Sequence, residues 1–232
     1  MQTDRPRVRN RQTCGQCLPN LPVSRSAQPH DNVPMTEAEA PTSEVHRVTT
    51  DRLPDVARLF DTHGATRGCW CQAFTVSRSE YSKGWWDGGN RTRFEEAAAL
   101  PGPPIGLLAY RDDEPVGWCA VGPRDRYKAA IGSRAKIMRN RDPSEDDHVF
   151  FVTCLFVRVG YRGSGVTSDL LRSAIDLARE LGAPAIEGWP RSGSNRQQSD
   201  LYYGRESLFA SFGFSVVDRP SAHRAVMRLE LA

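Results

Sequence analysis

The sequence lacks an apolar run long enough to cross a membrane. Its longest apolar run is VFFVTCLFV at residues 149–157, far shorter than the ~18 apolar residues that a transmembrane helix needs. The first 34 residues also lack the apolar segment of a secretory signal peptide. A membrane is therefore not expected as a partner, and a cytoplasmic location is predicted.

The body of the chain lacks an excess of charge of either sign. Residues 1–34 hold five arginines and two aspartates, which account for the whole net charge of +3 of the 232-residue chain. Nucleic acid is not predicted as a partner, because neutralising its phosphates requires a basic surface. The N-terminal residues are rich in Pro, Gln and Asn, a composition typical of disorder. We predict a tail over residues 1–43 and one folded domain over residues 44–232.

Cysteines are few, and their spacing does not match a metal site. Of the six, two form CGQC at residues 14–17, two form CWC at residues 69–71, and Cys119 and Cys154 lie alone in apolar runs. A zinc site usually pairs CxxC with a second CxxC or with histidines at defined spacing. No metal is predicted, and the expected state is reduced thiols. A metal- or redox-responsive protein that uses CGQC and CWC is an alternative hypothesis.

The first half of the domain predicts a strand, a helix and a hairpin. EVHRVTT is a short strand, and DRLPDVARLFDTHG is a helix with its apolar residues on one face. The Trp- and Gly-rich residues 65–89 indicate an ordered loop or broken helical turns, before a short helix at NRTRFEEAAALPG. Two apolar strands then flank the polar turn RDDE, which predicts a hairpin.

The second half alternates strands with helices. HVFFVTCLFV is too continuously hydrophobic for an edge strand and is predicted at the centre of the sheet. An amphipathic helix opens at Gly165, and PAIEGWP forms a short strand after it. LYYGRESLFASFG predicts a further helix, and a strand pair closes the chain. The order of elements indicates an α+β or mixed α/β domain.

The most informative segment is the glycine-spaced GYRGSGVTS between the central strand and the amphipathic helix. Free N–H groups and the dipole at a helix N-terminus favour an anion, commonly a phosphate. A nucleotide-triphosphate loop would require lysine where Val166 stands. A dinucleotide fingerprint would require glycine at Ser168 and a place in the first βα unit. Both are excluded.

The loop resembles the pyrophosphate loop of the GCN5-related N-acetyltransferases, the GNAT superfamily. That loop reads Arg or Gln, two residues, Gly, one residue, then Gly or Ala, and here it runs from Arg162 to Thr167, which replaces the last small residue. Val159 occupies a position where proline is common in the family. The resemblance covers roughly residues 44–231, including PVGWCAV and LFASFGF. GCWC and EGWP segments are similar to those of bacterial members.

This resemblance implies a GNAT fold, with a central, mostly antiparallel twisted sheet of about six to seven strands that splays between strands 4 and 5 and is flanked by helices. It implies acetyl-CoA as cosubstrate, with its pyrophosphate on the loop amides and its pantetheine arm along the fourth strand. Dimers are frequent in the family, which leaves a homodimer open. The implied cofactor-binding residues are Leu155, Phe156, Val157, Arg162, Gly163, Ser164, Gly165, Val166 and Thr167.

Glu187 in the IEGWP strand is the leading candidate for the general base, because a carboxylate in an apolar strand is costly without a partner. The alternative is that it pairs with an arginine, for example Arg191. The acidic and histidine residues at 146–148 could serve through a water, although such a polar run is more often a plain turn.

The proton donor departs from the family pattern. Many relatives place a tyrosine where this chain has Phe209, and phenylalanine cannot donate a proton. Either Tyr202 or Tyr203 substitutes for it, or the CoA thiolate leaves without assistance. Cys154 lies in an apolar strand and is interpreted as core rather than as a nucleophile.

The acceptor pocket is expected to use tryptophans, because the family builds that pocket from its early helices and loops. The candidates are Trp70, Trp85 and Trp118, with Trp86 beside them, and the alternative for each is core packing. The resulting hypothesis is an acetyl-CoA-dependent N-acetyltransferase that acts on a small-molecule or peptide amine by direct attack in a ternary complex. A catalytically silent CoA-binding sensor or partner module, which Phe209 favours, is the alternative.

Overall fold

In the computed structural model of the protein, seven strands form one sheet in the order β1-β2-β3-β4-β5-β7-β6. All neighbouring strands are antiparallel except β4 and β5, which are parallel. The sheet and its flanking helices confirm the predicted fold class. The strands are β1 Glu44–Arg47, β2 Leu107–Arg111, β3 Glu114–Pro123, β4 Phe150–Val157, β5 Ala185–Gly188, β6 Ser215–Ser221 and β7 Arg224–Glu230.

The structure describes residues 42–62, 64–132, 137–193 and 202–231, which all belong to one compact unit. The predicted tail over residues 1–43, with its CGQC segment, lies outside the described residues except at its last two positions. Among the described helices, none combines the length and apolar character needed to cross a membrane.

The helices lie on both faces of the sheet. α3 begins with a capping box, in which the Ser77 side chain accepts a hydrogen bond from the Glu80 amide and the Glu80 carboxylate accepts one from the Ser77 amide. α6 buries its apolar stripe against β2, β3 and β4. The bounds are α1 Leu53–Asp61, α2 Gly64–Cys69, α3 Arg78–Asp87, α4 Gly89–Ala99, α5 Lys128–Ile131, α6 Val166–Glu180 and α7 Glu206–Ser211.

The β2–β3 hairpin forms as the sequence predicts. Arg111 pairs with Glu114 across a two-residue turn of Asp112 and Asp113, whose φ angles are 50° and 61°. Positive φ at both central residues is the geometry of a type I′ turn, which matches the twist of the flanking strands. Aspartate tolerates this region better than most residues do.

The sheet opens between β4 and β5. Their pairing covers Phe150–Val152 opposite Ile186–Gly188, and the chain after β5 instead pairs through Arg191 with Gly204 and Glu206. On its other side β4 carries a bulge, because Ala120 and Val121 of β3 face Cys154 and Val152 and leave Thr153 as an extra residue. Residues 153–157 of β4 therefore have a free edge beside the opening.

The predicted helix over LYYGRESLFASFG is wrong in its first half. α7 begins only at Glu206, so Tyr202 and Tyr203 precede the helix. The physical reason is Gly204, whose φ of 73° lies in the left-handed region that a right-handed helix does not use. The two tyrosines are therefore held beside the open edge of β4 rather than on a helix face.

Candidate active site

A cleft of about 420 Å³ occupies the opening of the sheet on the side of α6 and α7. We call it the splay cleft. Its floor comes from β4, one wall from the glycine loop and the start of α6, and the other wall from the chain that leads into α7. The lining residues are Leu155, Val157, Arg162, Gly163, Thr167, Arg191, Tyr202, Gly204, Arg205 and Leu208.

The glycine loop presents backbone amides at the end of this cleft. Gly160, Gly163 and Gly165 have φ of 98°, 80° and 90°, and a Cβ at any of them would meet nothing within 4 Å. Glycine is therefore needed for the torsion angle and not for space. In the part of the chain that the structure describes, no backbone carbonyl accepts a hydrogen bond from the N–H groups of residues 162–167. These amides, at the N-terminus of a 15-residue helix, can bind an anion.

Side chains fix the shape of the loop. Arg162 Nε donates to the carbonyl of Val157 at 3.1 Å, which ties the loop back to the end of β4. Arg111 Nη2 donates to the carbonyl of Ser164 at 2.8 Å, and the Ser164 hydroxyl donates to the Tyr161 carbonyl at 2.7 Å. The loop is therefore held in shape before any ligand arrives, which reduces the entropy lost on binding.

The predicted cofactor-binding residues lie at the end of β4, in the glycine loop and at the start of α6, and their role stays a prediction. The side chains of Phe156 and Val166 are buried in the core, so only their main chain is available to a ligand. The cleft is lined by five of the predicted residues, namely Leu155, Val157, Arg162, Gly163 and Thr167. Sequence reasoning missed Arg191, Gly204, Arg205 and Leu208, because the segment that carries them is brought to the cleft by the divergence of β5 from β4.

A second, smaller cavity lies across the sheet from the cleft, with a volume of about 70 Å³. We call it the thiol cavity. Tyr202 lines both spaces, and Cys154 of the cavity is followed along β4 by Leu155 of the cleft. The bulged residue Thr153 also faces the cavity. The lining residues are Phe60, Thr66, Cys69, Cys71, Ala73, Phe74, Thr153, Cys154, Tyr202 and Tyr203.

Three thiols from two distant segments meet in this cavity. The Cys71 thiol is hydrogen-bonded to those of Cys69 and Cys154, and its sulfur accepts a hydrogen bond from Trp118 Nε1 at 2.9 Å. The hydrogen bond to Cys71 and burial raise the pKa of Cys69, and the hydrogen bond to Cys154 and burial raise the pKa of Cys71. Both thiols are therefore neutral at physiological pH. Among the described residues, no group of His, Cys, Asp or Glu is arranged to hold a metal ion.

The CWC segment has an unusual backbone. Trp70 and Cys71 have φ of 43° and 49°, in a region that residues other than glycine seldom adopt. Such positions persist where the surroundings fix them. Here the Trp70 ring packs edge-on against Phe60 and Phe94, with centroid distances of 5.3 and 5.4 Å. The buried indole anchors the turn, and the two cysteines on either side of it line the cavity.

Of the two candidate proton donors, only Tyr202 lines the cleft as well as the cavity. Burial raises the pKa of Tyr202, partly opposed by the nearby charge of Arg162, so its phenol carries a proton at neutral pH. Tyr203 lies in an aromatic cluster, 5.3 Å from the Trp189 ring and under the Arg224 guanidinium at 4.2 Å. Position therefore favours Tyr202.

The surroundings of Glu187 do not favour the prediction that it acts as the base, which stays a prediction. The side chain is buried, at 3% exposure, and its Oε2 and Oε1 accept hydrogen bonds from Arg124 and Arg228, both at 3.1 Å. It lines neither the splay cleft nor the thiol cavity as the described residues define them. The alternative of an arginine partner is closer to the structure, although the partners are Arg124 and Arg228 rather than Arg191.

The same cluster includes one of the other acidic candidates, Asp146. Asp146 contacts Arg124 Nε at 3.2 Å and Arg141 Nε at 2.8 Å. Hydrogen bonds from Arg228 lower the pKa of Glu145. Asp147 and His148 form an exposed pair at 3.4 Å. Apart from this exposed pair, the charges join β5 and β7 to the segments that flank β3 and β4, which is a structural role.

The role of the tryptophans in an acceptor pocket stays a prediction. Trp70 and Trp118 are buried in one apolar cluster beneath α1 and α4, and Trp85 packs against Tyr81 and Gly68. None of the three lines the thiol cavity. Trp118 instead lines a separate 350 Å³ pocket. Large rings are favoured in the core because they bury the most apolar area.

Phe209, at the position where relatives often have tyrosine, is fully buried. Its ring lies directly over Gly188, where a Cβ would meet Phe209 Cε1 at 2.1 Å, and packs edge-on against Phe214 at 5.1 Å. We expect Phe209→Tyr to lower the free energy of unfolding by about 1–3 kcal/mol, because its hydroxyl would be buried without a partner. It should not raise turnover. Urea unfolding and steady-state kinetics check both; increased turnover in a stable variant would contradict this assignment.

Comparisons with known proteins agree with this geometry. A family model described as the acetyltransferase (GNAT) family matches residues 70–204. Because that match covers more than half of the chain, the protein belongs to the GNAT acetyltransferase family. No curated protein matches the sequence.

The chain is also similar to solved structures. The chain is similar to yncA from Salmonella typhimurium, solved with its cofactor acetyl-CoA, at 17% identity and a TM-score of 0.51 over 83% of this chain and 95% of that chain. It is also similar to a histone acetyltransferase HPA2-related protein from Corynebacterium glutamicum, at 18% identity and a TM-score of 0.49 over 82% and 97% of the chains. At these identities the likeness to yncA shows the fold alone.

Proposed function

We propose that the protein is an N-acetyltransferase that uses acetyl-CoA and acetylates a primary amine of a small molecule or a peptide. The observation that carries this proposal is the splay cleft, which joins unpaired loop amides at one end to the free edge of β4 at the other. Membership of the GNAT family supports acetyl transfer, and the amine is the proposed acceptor.

The cleft suits each part of coenzyme A. The loop amides of residues 162–167 would hold the pyrophosphate, with Arg162, Arg191 and Arg205 supplying positive charge along the wall. The pantetheine arm would pair with the free edge of β4 beyond Val152. This path brings the thioester to Tyr202, where the cleft meets the thiol cavity.

The proposed reaction is direct attack of a neutral amine on the thioester carbonyl. A backbone N–H of β4 near the bulge would stabilise the oxyanion of the tetrahedral intermediate. Collapse breaks the carbon–sulfur bond, and one proton passes overall from the amine nitrogen to the thiolate sulfur. Tyr202 would donate that proton to sulfur and be reprotonated from the nitrogen.

Two measurements test the proposal. Acetyl-CoA at 100 times its Kd should stabilise the folded protein by about 2.7 kcal/mol, seen as a raised Tm. CoA release with a panel of amines should then show turnover. Absence of any Tm shift would contradict CoA binding. A Tm shift without turnover on any amine would instead favour the silent CoA-binding module, the alternative that the buried Phe209 suggests.

The role of Tyr202 has a matched pair of variants. We expect Tyr202→Phe to lower kcat by about 100-fold with little change in the Kd of acetyl-CoA, because general acid catalysis typically contributes 10²–10⁴-fold. Tyr203→Phe removes a phenol hydroxyl from the next residue and should lower kcat by less than about threefold. Equal losses in the two variants would remove Tyr202 from the mechanism.

A further inference from the structure

We propose that the thiol cavity receives the acyl group of the donor, so that this enzyme binds and transfers short-chain acyl groups longer than acetyl. This inference rests on the proposed function, since it assumes a CoA thioester in the splay cleft. It assigns the cavity to the donor rather than to the acceptor and names the substrate class, which is acyl-CoA with a linear apolar acyl group of up to about four carbons.

The position of the cavity supports this assignment. The cleft and the cavity share one residue, Tyr202, and meet where Cys154 is followed by Leu155 on β4. A thioester that follows the free edge of β4 therefore ends at the entrance of the cavity. The methyl end of its acyl group points away from the sulfur and so continues in that direction.

The chemistry of the lining supports an apolar occupant. The described lining residues carry aromatic, methyl, hydroxyl or thiol groups. Because Cys69 and Cys71 are held neutral by hydrogen bonding and burial, their sulfurs act as small apolar groups with weak donors. The Thr66 hydroxyl donates to the Phe60 carbonyl at 2.6 Å. A hydrocarbon tail gains by leaving water for such a surface, whereas an ammonium group would lose its hydration there.

The size of the cavity sets the chain length. Its volume is about 70 Å³, whereas an apolar cavity of about 150 Å³ holds the six carbons of benzene. There is thus room for about three methylene-sized groups beyond the carbonyl, which corresponds to a butyryl chain. The anchored turn at Trp70 and Cys71 keeps the cavity wall rigid, so we expect a sharp limit on the length of the acyl chain.

Binding of an acyl-CoA series, without any acceptor, tests the inference. CoA, acetyl-, butyryl-, hexanoyl- and decanoyl-CoA are titrated by calorimetry. We expect about a 15-fold lower Kd for butyryl- than for acetyl-CoA, because each of the two added methylenes contributes about fourfold when buried. The gain should stop there, so that hexanoyl- and decanoyl-CoA bind no more tightly than butyryl-CoA. Turnover with butyryl-CoA and an amine should accompany the binding.

Ala73 offers a variant that narrows the cavity without disturbing the core. It lines the cavity and is itself exposed, so a larger side chain is accommodated. Ala73→Phe should abolish the chain-length gain while the Kd of CoA stays within about twofold. Ala99→Phe, at the exposed end of α4 and outside the cavity, is the matched control and should keep the gain.

The outcomes separate this inference from the proposed function. If Kd does not fall from acetyl- to butyryl-CoA, or if the gain survives in Ala73→Phe, the cavity does not hold the acyl tail and the inference is overturned. If CoA still binds in that case, the proposed function is not contradicted. If CoA itself does not bind, the proposed function fails first.

Discussion

Arg124→Met is expected to lower the free energy of unfolding by about 3–5 kcal/mol, because it removes a fully buried charge and one of the two arginine partners of the buried Glu187 carboxylate. The Arg124 side chain has no exposed surface and lies 3.1 Å from Glu187, 3.2 Å from Asp146 and 3.4 Å from Glu145. It also donates to the Asp142 carbonyl at 2.8 Å. A loss of this size is a large part of the 5–15 kcal/mol that typically stabilises a domain. Urea unfolding measures it.

Glu187→Gln provides the comparison that distinguishes structure from catalysis. A purely structural ion pair predicts reduced stability with kcat nearly unchanged in the folded fraction, and a coupling of about 0.5–3 kcal/mol with Arg124→Met in a double-mutant cycle. If Glu187 were the base, turnover would fall by about 100-fold or more at nearly unchanged stability. That result, or a loss under about 1 kcal/mol in Arg124→Met, would contradict the structural assignment of this cluster.

Gly165→Ala is expected to weaken CoA binding by about 10- to 100-fold. The φ of 90° and ψ of −15° at Gly165 are unfavourable for any residue with a Cβ, at a cost of about 1–3 kcal/mol. A Cβ there meets no neighbouring atom within 4 Å, so steric overlap does not contribute. The strained loop would turn its amides away from the pyrophosphate. Calorimetric titration with CoA measures the change.

Gly182 is the matched control for this substitution. It has a φ of 72°, its Cβ position is equally open, and it lies just beyond the opposite end of the same helix. Gly182→Ala should therefore cost similar stability and leave the Kd of CoA within about twofold. Equal weakening in both variants would show that general destabilisation, and not the loop geometry, sets the affinity.

Local sequence patterns predicted most of the fold. Alternating apolar residues, glycines that end helices and the RDDE turn each act over a few residues. The elements that they predict form in the expected order. The glycine loop was predictable for the same reason, because its torsions are encoded within Gly163 and Gly165 themselves. The homodimer and the cytoplasmic location stay predictions.

The catalytic side chains were harder to predict because their neighbours come from distant parts of the chain. Glu187 was recognised as a costly buried charge, but its partners lie 63 and 41 positions away in the sequence. The thiol cavity joins CWC to Cys154 across the sheet, and nothing in either segment indicates the other. Trp70 and Trp118 were expected in a pocket wall because the family builds its acceptor pocket from early helices and loops. Both are buried in one apolar cluster, and Trp118 also lines a pocket, so position along the chain does not distinguish a wall from a core.

The bulge at Thr153 has a consequence for how this strand tolerates insertion and deletion. The same core beneath α6 is faced by Phe150 and Val152 before the bulge and by Leu155 and Val157 after it. Deleting Thr153 would therefore restore regular alternation of side chains along β4 and regular pairing with β3. The sheet itself does not require the extra residue. A chain without Thr153 would keep the core contacts, but the free edge of β4 and the wall of the thiol cavity would shift. The extra residue therefore serves the site rather than the folding of the sheet.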